Sequence, residues 1–438
     1  MNGQTYSSLW KQAEEAEKKD LPRTQYDVLM KIVDKAQKEG QYGQLMAAEL
    51  AGSRVMTAIA PDSLQPAVDR MEERYRQTTD KALSTVYAVV LQKIYKDNSQ
   101  LEKREDLTVT LDDETCGRLA AVKAADYNPL TVNGSDSRWF DNDMLSVVGY
   151  ELEDFRTLNA YYNKVGNRLA SLMTALELAR QERPKGDVKM DGKVPYIETL
   201  DSLIERYGDL PECGEVAIER YKYMVHHTDA KPEMLWQYLE QALGRWGVYG
   251  RMNELRNDQT NLTTPQFTAN LEDRVTVPGQ EQRVELTFLR HIDKLTYRVY
   301  RLKVDGNTDL NPEDDKDYRK LKAQMVKTPE VSETLTFTGH QTYENFKDSF
   351  MLPGLPVGVY LIEMESEPTS MVSRRLYFVS NVRTMVEMLP DNKQRYVVVS
   401  AIDGQPQKGA TIELKGYVGG RSDQLITLKT DDKGEVVY

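Results

Sequence analysis

The sequence predicts a chain in two parts, all-α and then all-β. Three observations carry that reading. Apolar residues recur at helical spacing from Met1 to about Leu262. From Thr263-Thr264-Pro265 onward the apolar period shortens to two, the period of a strand with one buried face. Turn residues then separate strand-length runs, as in a β-sandwich. The expected boundaries are a helical domain over 1–262, a β domain over 263–380 and a second β domain over 381–438.

In the helical part, Tyr26, Leu29, Met30 and Val33 follow the i, i+3, i+4, i+7 pattern. Leu83, Val86, Tyr87, Val90, Leu91 and Ile94 form a stripe of three turns, and Leu169, Leu172, Met173, Leu176 and Ala179 form another. Asp20-Leu21-Pro22 opens a helix that should end at Gly40, with Pro in the first turn and Gly past the last. Pro61-Asp62-Ser63 should open a helix over 64–76. Further helices are expected from Asp143 to Asp154, Pro195 to Tyr207, Gly214 to Tyr223 and Pro232 to Trp246. Short loops between helices of this length suggest stacked hairpins. W-x-x-A at Trp10–Ala13 and QYGQLMAAEL resemble pieces of tetratricopeptide-like repeats. No fixed period runs through the region, so an irregular all-α domain stays equally open.

Residues 99–143 interrupt the pattern. LTVTLDDE alternates like a strand or an extended arm, and a stretch rich in Asn, Asp, Gly and Ser carries Trp139-Phe140. The expectation is a long loop pinned to the surface by its two aromatics, with a binding role as a second reading.

In the β part, Val284, Leu286 and Phe288 alternate with polar neighbours, then Leu295, Tyr297 and Val299. Tyr300 and Leu302 shift the phase by one, which predicts a bulge or a solvent-edge strand. Leu335 with Phe337, then Tyr360, Ile362 and Met364, then Leu376 with Phe378 complete the set. The charged run 311–326 should form one short helix. The 25 tyrosines against 8 phenylalanines suit exposed sheet faces and interfaces. In the last stretch Tyr396–Ile402 is strand-like and Asp403-Gly404 is a turn pair. Ile412 with Leu414 and Ile426 with Leu428 each alternate, and 431–434 form another turn. Val436-Val437-Tyr438 starts a strand with nothing after it to pair, so a piece of a longer protein is expected.

Bulk properties exclude several classes. With 438 residues, two to four domains are expected. Apolar residues at 40% and charged residues at 29% are an ordinary globular balance. A net charge of −12 without a dense basic stripe offers no footprint for nucleic acid. No apolar run approaches the ~20 residues needed to span a bilayer. The N-terminal stretch lacks an apolar signal core, so the chain is read as no intact secretory precursor; cytoplasmic residence and prior loss of a signal both stay open. Cys116 and Cys213 make no disulfide framework, and spacing does not say whether they meet.

LPVGVYLIEME leading to SRRLYFVSNV, then VVVSAIDGQPQKGATIELKG and TDDKGEVVY, resembles the first two macroglobulin domains of bacterial α2-macroglobulin-like proteins. The resemblance covers roughly 264–438. The G-x-Y-x-I strand is similar to a late strand of the first such domain, and D-G-x-P-x-x-G-A-x-I-x-L with T-D-x-x-G to the second. A helical leader before them is similar to that of large bacterial members. The resemblance implies two Ig-like macroglobulin-type sandwiches in a many-domain protease trap of the periplasm or cell surface. In that family a bait segment is cleaved and the rearranged protein captures the protease. Many members carry a thioester within C-x-E-Q. Cys213-Gly214-Glu215-Val216 ends in Val, not the Gln that donates the acyl group, and lies in the helical part. It is read as coincidence, with Cys213 a buried or capping thiol.

The search for chemistry assigns no catalytic, cofactor or metal residue. His226, His227, His291 and His340 make no ligand spacing, and His226-His227 should sit at a helix C-terminus. Asp305, Asn307 and Asp309 start like a calcium loop, but Leu310 replaces the turn Gly and Lys316 the bidentate Glu. Ser8-Leu9-Trp10-Lys11 matches S-x-x-K without its partner motifs, and Trp10 reads as core. Asp314-Asp315 reads as a solvated face. The expected function is therefore non-catalytic, without cofactors. The chain would be the front of a protease-trapping inhibitor whose protease contacts lie outside it, with a protein partner on the helical domain. The rival reading is a periplasmic or surface interaction scaffold.

Overall fold

A computed structural model describes residues 4–60, 64–98, 101–102, 106–186, 188–189, 192–304, 308–418 and 421–438. The chain divides into two compact units, 1–230 with 241–254 and 231–240 with 255–438. The first is helical and the second β-rich. Among the described residues no helix is long and apolar enough to cross a membrane.

The helical unit begins with α1 (Tyr6–Lys18), α2 (Pro22–Glu39) and α3 (Tyr42–Ile59). Next come α4 (Leu64–Gln77), α5 (Lys81–Asp97), α6 (Asp113–Ala120), α7 (Met144–Glu151), α8 (Phe155–Val165) and α9 (Arg168–Gln181). Then follow α10 (Pro195–Tyr207), α11 (Gly214–His227), α12 (Pro232–Trp246) and α13 (Asn253–Thr263), the last two divided between the units. Consecutive helices pack as hairpins, α1 on α2, α2 on α3 and α8 on α9. Leu9 and Ala13 of α1, Leu29, Ile32 and Ala36 of α2, and Leu45 and Ala48 of α3 share one core. Polar side chains cap several helices. Asp80, Asp112, Asp143, Asp154 and Asn167 each accept an amide hydrogen bond from the first turn that follows.

The described part of 99–143 is not a surface loop. It contains α6 and two 3-10 turns, Ala124–Tyr127 and Ser135–Phe140. Trp139 and Phe140 are buried, as are Leu107, Leu111 and Tyr127. Residues 106–112 form neither helix nor strand, and Asp106 accepts from the Thr108 amide at 3.0 Å. The buried apolar side chains here are irregularly spaced, and Leu107 joins a core with Val68, Met71 and Leu91, so no period reveals them. Helix α11 runs one turn beyond the expected Tyr223, and α7 stops at Glu151 because Asp154 caps α8 instead.

The β-rich unit contains β1 (Ala269–Leu271), β2 (Val275–Thr276), β3 (Gln282–Leu289), β4 (Lys294–Leu302) and α14 (Asp315–Ala323). After these come β5 (Val331–Thr336), β6 (Phe346–Leu352), β7 (Gly358–Glu367) and β8 (Val372–Val379). One sheet runs β2-β8-β7-β4-β5 and a second β1-β3-β6. Side chains of both sheets enter one core, where Tyr297 of β4 stacks on Phe350 of β6 at 4.2 Å between ring centroids. Tyr297, Tyr360 and Tyr377 are fully buried there. Their hydroxyls meet Glu333, the Pro356 carbonyl and Thr276 at 2.7–2.8 Å. Tyrosines expected on exposed faces are thus among the largest buried side chains, and each of these three finds a polar partner for its hydroxyl.

Three strand details differ from expectation. The β4–β7 register runs unbroken from Lys294↔Glu367 to Leu302↔Val359, and β4 is an interior strand. The phase shift at Leu302 marks a second buried face, where Leu302, Val359, Leu361 and Leu376 pack under Leu321 of α14. Leu376 and Phe378 belong to that face; Tyr377 and Val379 are the β8 residues that enter the core between the sheets. Phe288 is 42% exposed, because a register shift between Leu286 and Leu289 turns Leu289 inward instead.

The last β region holds β9 (Val382–Met388), β10 (Gln394–Ser400), β11 (Thr411–Val418), β12 (Arg421–Lys429) and β13 (Glu435–Val437). One sheet runs β13-β10-β9, and β11 and β12 form a hairpin. The terminal strand, expected to lack a partner, pairs with β10, Tyr396 opposite Val436. Gly404 and Gly434 take φ of +73° and +74° in the two expected turns. Asp431 accepts from the amides of Lys433 and Glu435 at 2.9 Å.

Gly43 in the first turn of α3 lies against the backbone of Tyr127; a Cβ there would come within 2.2 Å of it. Gly117 of α6 faces open space. Gly43→Ala should therefore destabilise the chain by about 2 kcal/mol or more, whereas Gly117→Ala should stabilise it by roughly 0.5–1 kcal/mol. Urea midpoints compared with the unmodified chain check both signs.

Candidate functional site

The helical unit encloses a groove of about 580 Å³ between α3, α5 and α7. Leu50 and Ala58 of α3, Val86, Val90 and Ile94 of α5, and Met144, Val147 and Val148 of α7 supply most of its wall. The stripe on α5 is long enough to serve two purposes. Val86 and Leu91 are buried, while Val90 and Ile94 keep part of their surface in the groove. Leu130 and Thr131, from the stretch expected to be a loop, also line it.

The polar groups in the wall are already satisfied. Ser53 donates to the Leu50 carbonyl at 2.9 Å and Thr57 to the Ser53 carbonyl at 2.8 Å. Thr131 donates to the Ala124 carbonyl. Charge is confined to the rim, where Lys93 binds Glu151 at 2.8 Å and Arg54 and Asp97 stand exposed. Such a site can take an apolar body and hold it by burial. Its wall offers no activated nucleophile.

Two buried carboxyls anchor the surrounding helices. Asp143 caps α7 through the Ser146 amide at 2.8 Å and accepts from the Tyr162 hydroxyl at 2.8 and 3.1 Å. Burial raises its pKa above the ordinary carboxyl value, against those hydrogen bonds. Tyr162 is pushed up as well, first by burial and then by the Asp143 charge. Phe140 completes this cluster, 5.5 Å from the Tyr162 ring and 5.6 Å from Tyr150. Glu49 of α3 is paired with Arg74 of α4, yet burial still raises its pKa.

The residues singled out in the sequence do not assemble here. Cys116 and Cys213 are separate free thiols, both buried. Burial pushes Cys116 up to about 11 and Cys213 up to about 12, so both are protonated at neutral pH. Glu215, the acid of the C-x-E-V stretch, pairs with Arg251 at 3.0 Å and accepts from Tyr249 at 2.7 Å. His226 and His227 lie in the last turn of α11. His291 meets the Thr263 carbonyl at 2.9 Å, and His340 stacks on Phe346 at 3.7 Å. Trp10 packs beside the α1–α3 core and donates to Gln44 at 2.7 Å. In the Ser8–Lys11 stretch, Ser8 accepts from Gln12 at 3.3 Å. Asp305 and Asn307 lie outside the described residues; Asp309 borders a cleft with Arg374 and Arg375. Asp314 caps α14 and Asp315 opens it. Among the described residues no three His, Cys, Asp or Glu side chains converge as a metal would require.

The groove escaped the sequence reading. Its wall combines three helices distant in sequence, and each contributes residues that also look like ordinary core. The one available signal was the width of the α5 stripe.

No family model and no curated protein matches the chain. Among solved structures, the chain is similar at TM-score 0.19 and 8% identity to one described under "Chaperone-tip adhesin complex is vital for synergistic activation of CFA/I fimbriae biogenesis". That similarity covers 39% of this chain and 84% of the other. It is similar at TM-score 0.17 and 12% identity to the sporulation control protein Spo0M from Bacillus subtilis, over 32% of this chain and 68% of the other.

Two outcomes follow from the groove and its anchors. A fluorescent apolar probe such as anilinonaphthalene sulfonate should bind the chain, and Ala58→Trp, which fills the groove, should weaken binding about tenfold. Titration of probe fluorescence against both proteins checks this. Asp143 and Glu49 hold their protons more tightly folded than unfolded. The folded state therefore binds more protons, and this contribution to stability is full below the ordinary carboxyl pKa and is lost as pH rises through the raised folded values. Asp143→Asn keeps an oxygen for the Ser146 amide and removes one titrating group. Urea midpoints across the acidic-to-neutral range should then fall less steeply with rising pH than in the unmodified chain; an unchanged slope would exclude Asp143 as a source.

Proposed function

We propose that this chain is a non-catalytic part of a protease-trapping protein of the α2-macroglobulin type, acting in the periplasm or at the cell surface. In this reading 263–380 and 381–438 are Ig-like macroglobulin-type modules that brace a larger assembly. The helical unit offers a docking surface, and protease contacts lie outside the chain. What carries the reading is the tandem of β modules with the sequence pattern of that family. Support comes from the core shared by the two sheets of the first β region and from the D-G and T-D-x-x-G turns of the second, where Gly404 and Gly434 take positive φ.

A second reading, an interaction scaffold without inhibitory activity, is favoured by one observation, the apolar groove with its satisfied interior and charged rim. The two readings separate in one assay on the product of the natural reading frame. A trap slows hydrolysis of a large protein substrate, spares hydrolysis of a small peptide substrate and is itself cut at one segment. Unchanged hydrolysis of both substrates, with no cut, would leave the scaffold.

A further inference from the structure

We propose that β9 is a self-complementary edge strand through which two copies of this chain pair antiparallel about a two-fold axis at Met385. Among the described residues the strand pairs only with β10, and its other edge carries no strand. Its apolar side chains are unusually bare: Val382 is 40% exposed, Met385 50%, Val386 56% and Met388 67%. An edge of this length and character is a template for another strand. The edge strand β5 differs, presenting Ser332, Glu333 and Thr334.

The direction of the free backbone groups follows from the β9–β10 ladder. Leu389 donates to the Lys393 carbonyl and Ala401 to the Asn381 carbonyl, both at 2.8 Å, so the bonded pairs fall on odd residues of this strand. The N–H and C=O groups of Thr384, Val386 and Met388 therefore point outward.

A second copy set antiparallel about Met385 uses those groups. Thr384 and Val386 exchange backbone bonds with Val386 and Thr384 of the second copy. Met385 faces its own counterpart, and Arg383 faces Glu387 of the second copy at both ends of the contact. These last pairs occupy the non-hydrogen-bonded positions, where side chains approach most closely. On the opposite face Val382 meets Met388. Every apolar residue thus finds an apolar or β-branched partner and every charge its opposite.

The charges extend an existing ladder. Glu435 of β13 contacts Arg395 of β10 at 3.7 Å, and Arg395 pairs with Glu387. Arg383 has no carboxylate partner among the described residues and would add the next alternating charge. A register moved by two residues puts Arg383 opposite Met385 or Leu389 of the second copy and breaks the ladder, so charge selects the centre.

Cross-linking reads the register directly. Opposed non-hydrogen-bonded residues lie ~4.5 Å apart at Cα, within disulfide reach. Under mild oxidation Met385→Cys should give a covalent dimer. Met388→Cys, which faces Val382 of the second copy, should not, and the unmodified chain should not either, its two thiols being buried. In sedimentation equilibrium the unmodified chain should dimerise. Arg383→Glu, which sets like charges opposite, should weaken the dimer about tenfold or more. Val386→Pro, which removes an outward N–H and leaves the β10 ladder intact, should abolish it. A strictly monomeric unmodified chain overturns the proposal. So does equal cross-linking at 385 and 388, or a dimer indifferent to Arg383→Glu.

Discussion

Strand β7 buries side chains on both of its faces, and the layering of the first β module depends on that. Tyr360, Ile362 and Met364 enter the core between the two sheets, while Val359 and Leu361 lie on the opposite side. A strand of this kind needs a cover on each face, because a bare apolar face costs on the order of 25 cal/mol per Å² left in water. The β1-β3-β6 sheet covers one face and α14 the other. Position in the sheet follows: β7 sits between β4 and β8, where both of its edges are paired. The charged sequence of α14 fits the same logic. It needs only a narrow apolar stripe, Leu321 and Tyr318, and Arg374 joins the outer layer by packing 3.7 Å from the Tyr318 ring and binding Glu363 at 2.9 Å.

The helical unit relies on a different device, polar anchors set inside an apolar frame. Asp143 caps α7 and holds Tyr162 of α8, and through Phe140 the same cluster fixes the stretch that precedes α7. The buried Glu49–Arg74 pair ties α3 to α4. Such groups cost desolvation energy and offset it only when their hydrogen bonds are made, so they favour one arrangement of the helices over near alternatives. The groove is the space this frame leaves between α3, α5 and α7, with Leu130 and Thr131 also in its wall.

The last β region contrasts with both. Tyr396 and Val398 are its buried apolar residues among those described, and all of β9 stays exposed. A region with so little core keeps apolar surface available for contact. Its alternation of Arg and Glu across three strands gives that surface a preferred partner geometry rather than general stickiness.

The sequence by itself determined the order of α and β parts, because the period of apolar residues changes at Thr263 and each period permits one kind of element. It determined most helix limits as well. Pro22 and Gly40 bound α2, and Pro195 opens α10, through backbone restrictions that act locally. The turns at Gly404 and Gly434 were legible for the same reason. Only the tertiary structure decided which face of a strand is buried when both are. The phase shift at Leu302 looked like a bulge until α14 lay over it. Phe288 looked like core until the register shift turned Leu289 inward. The burial of Trp139 and Phe140, the partners of Asp143 and the groove wall likewise come from residues far apart in sequence. Local pattern reports the conformations a segment can adopt. Which of its side chains leave water depends on neighbours that only folding brings together.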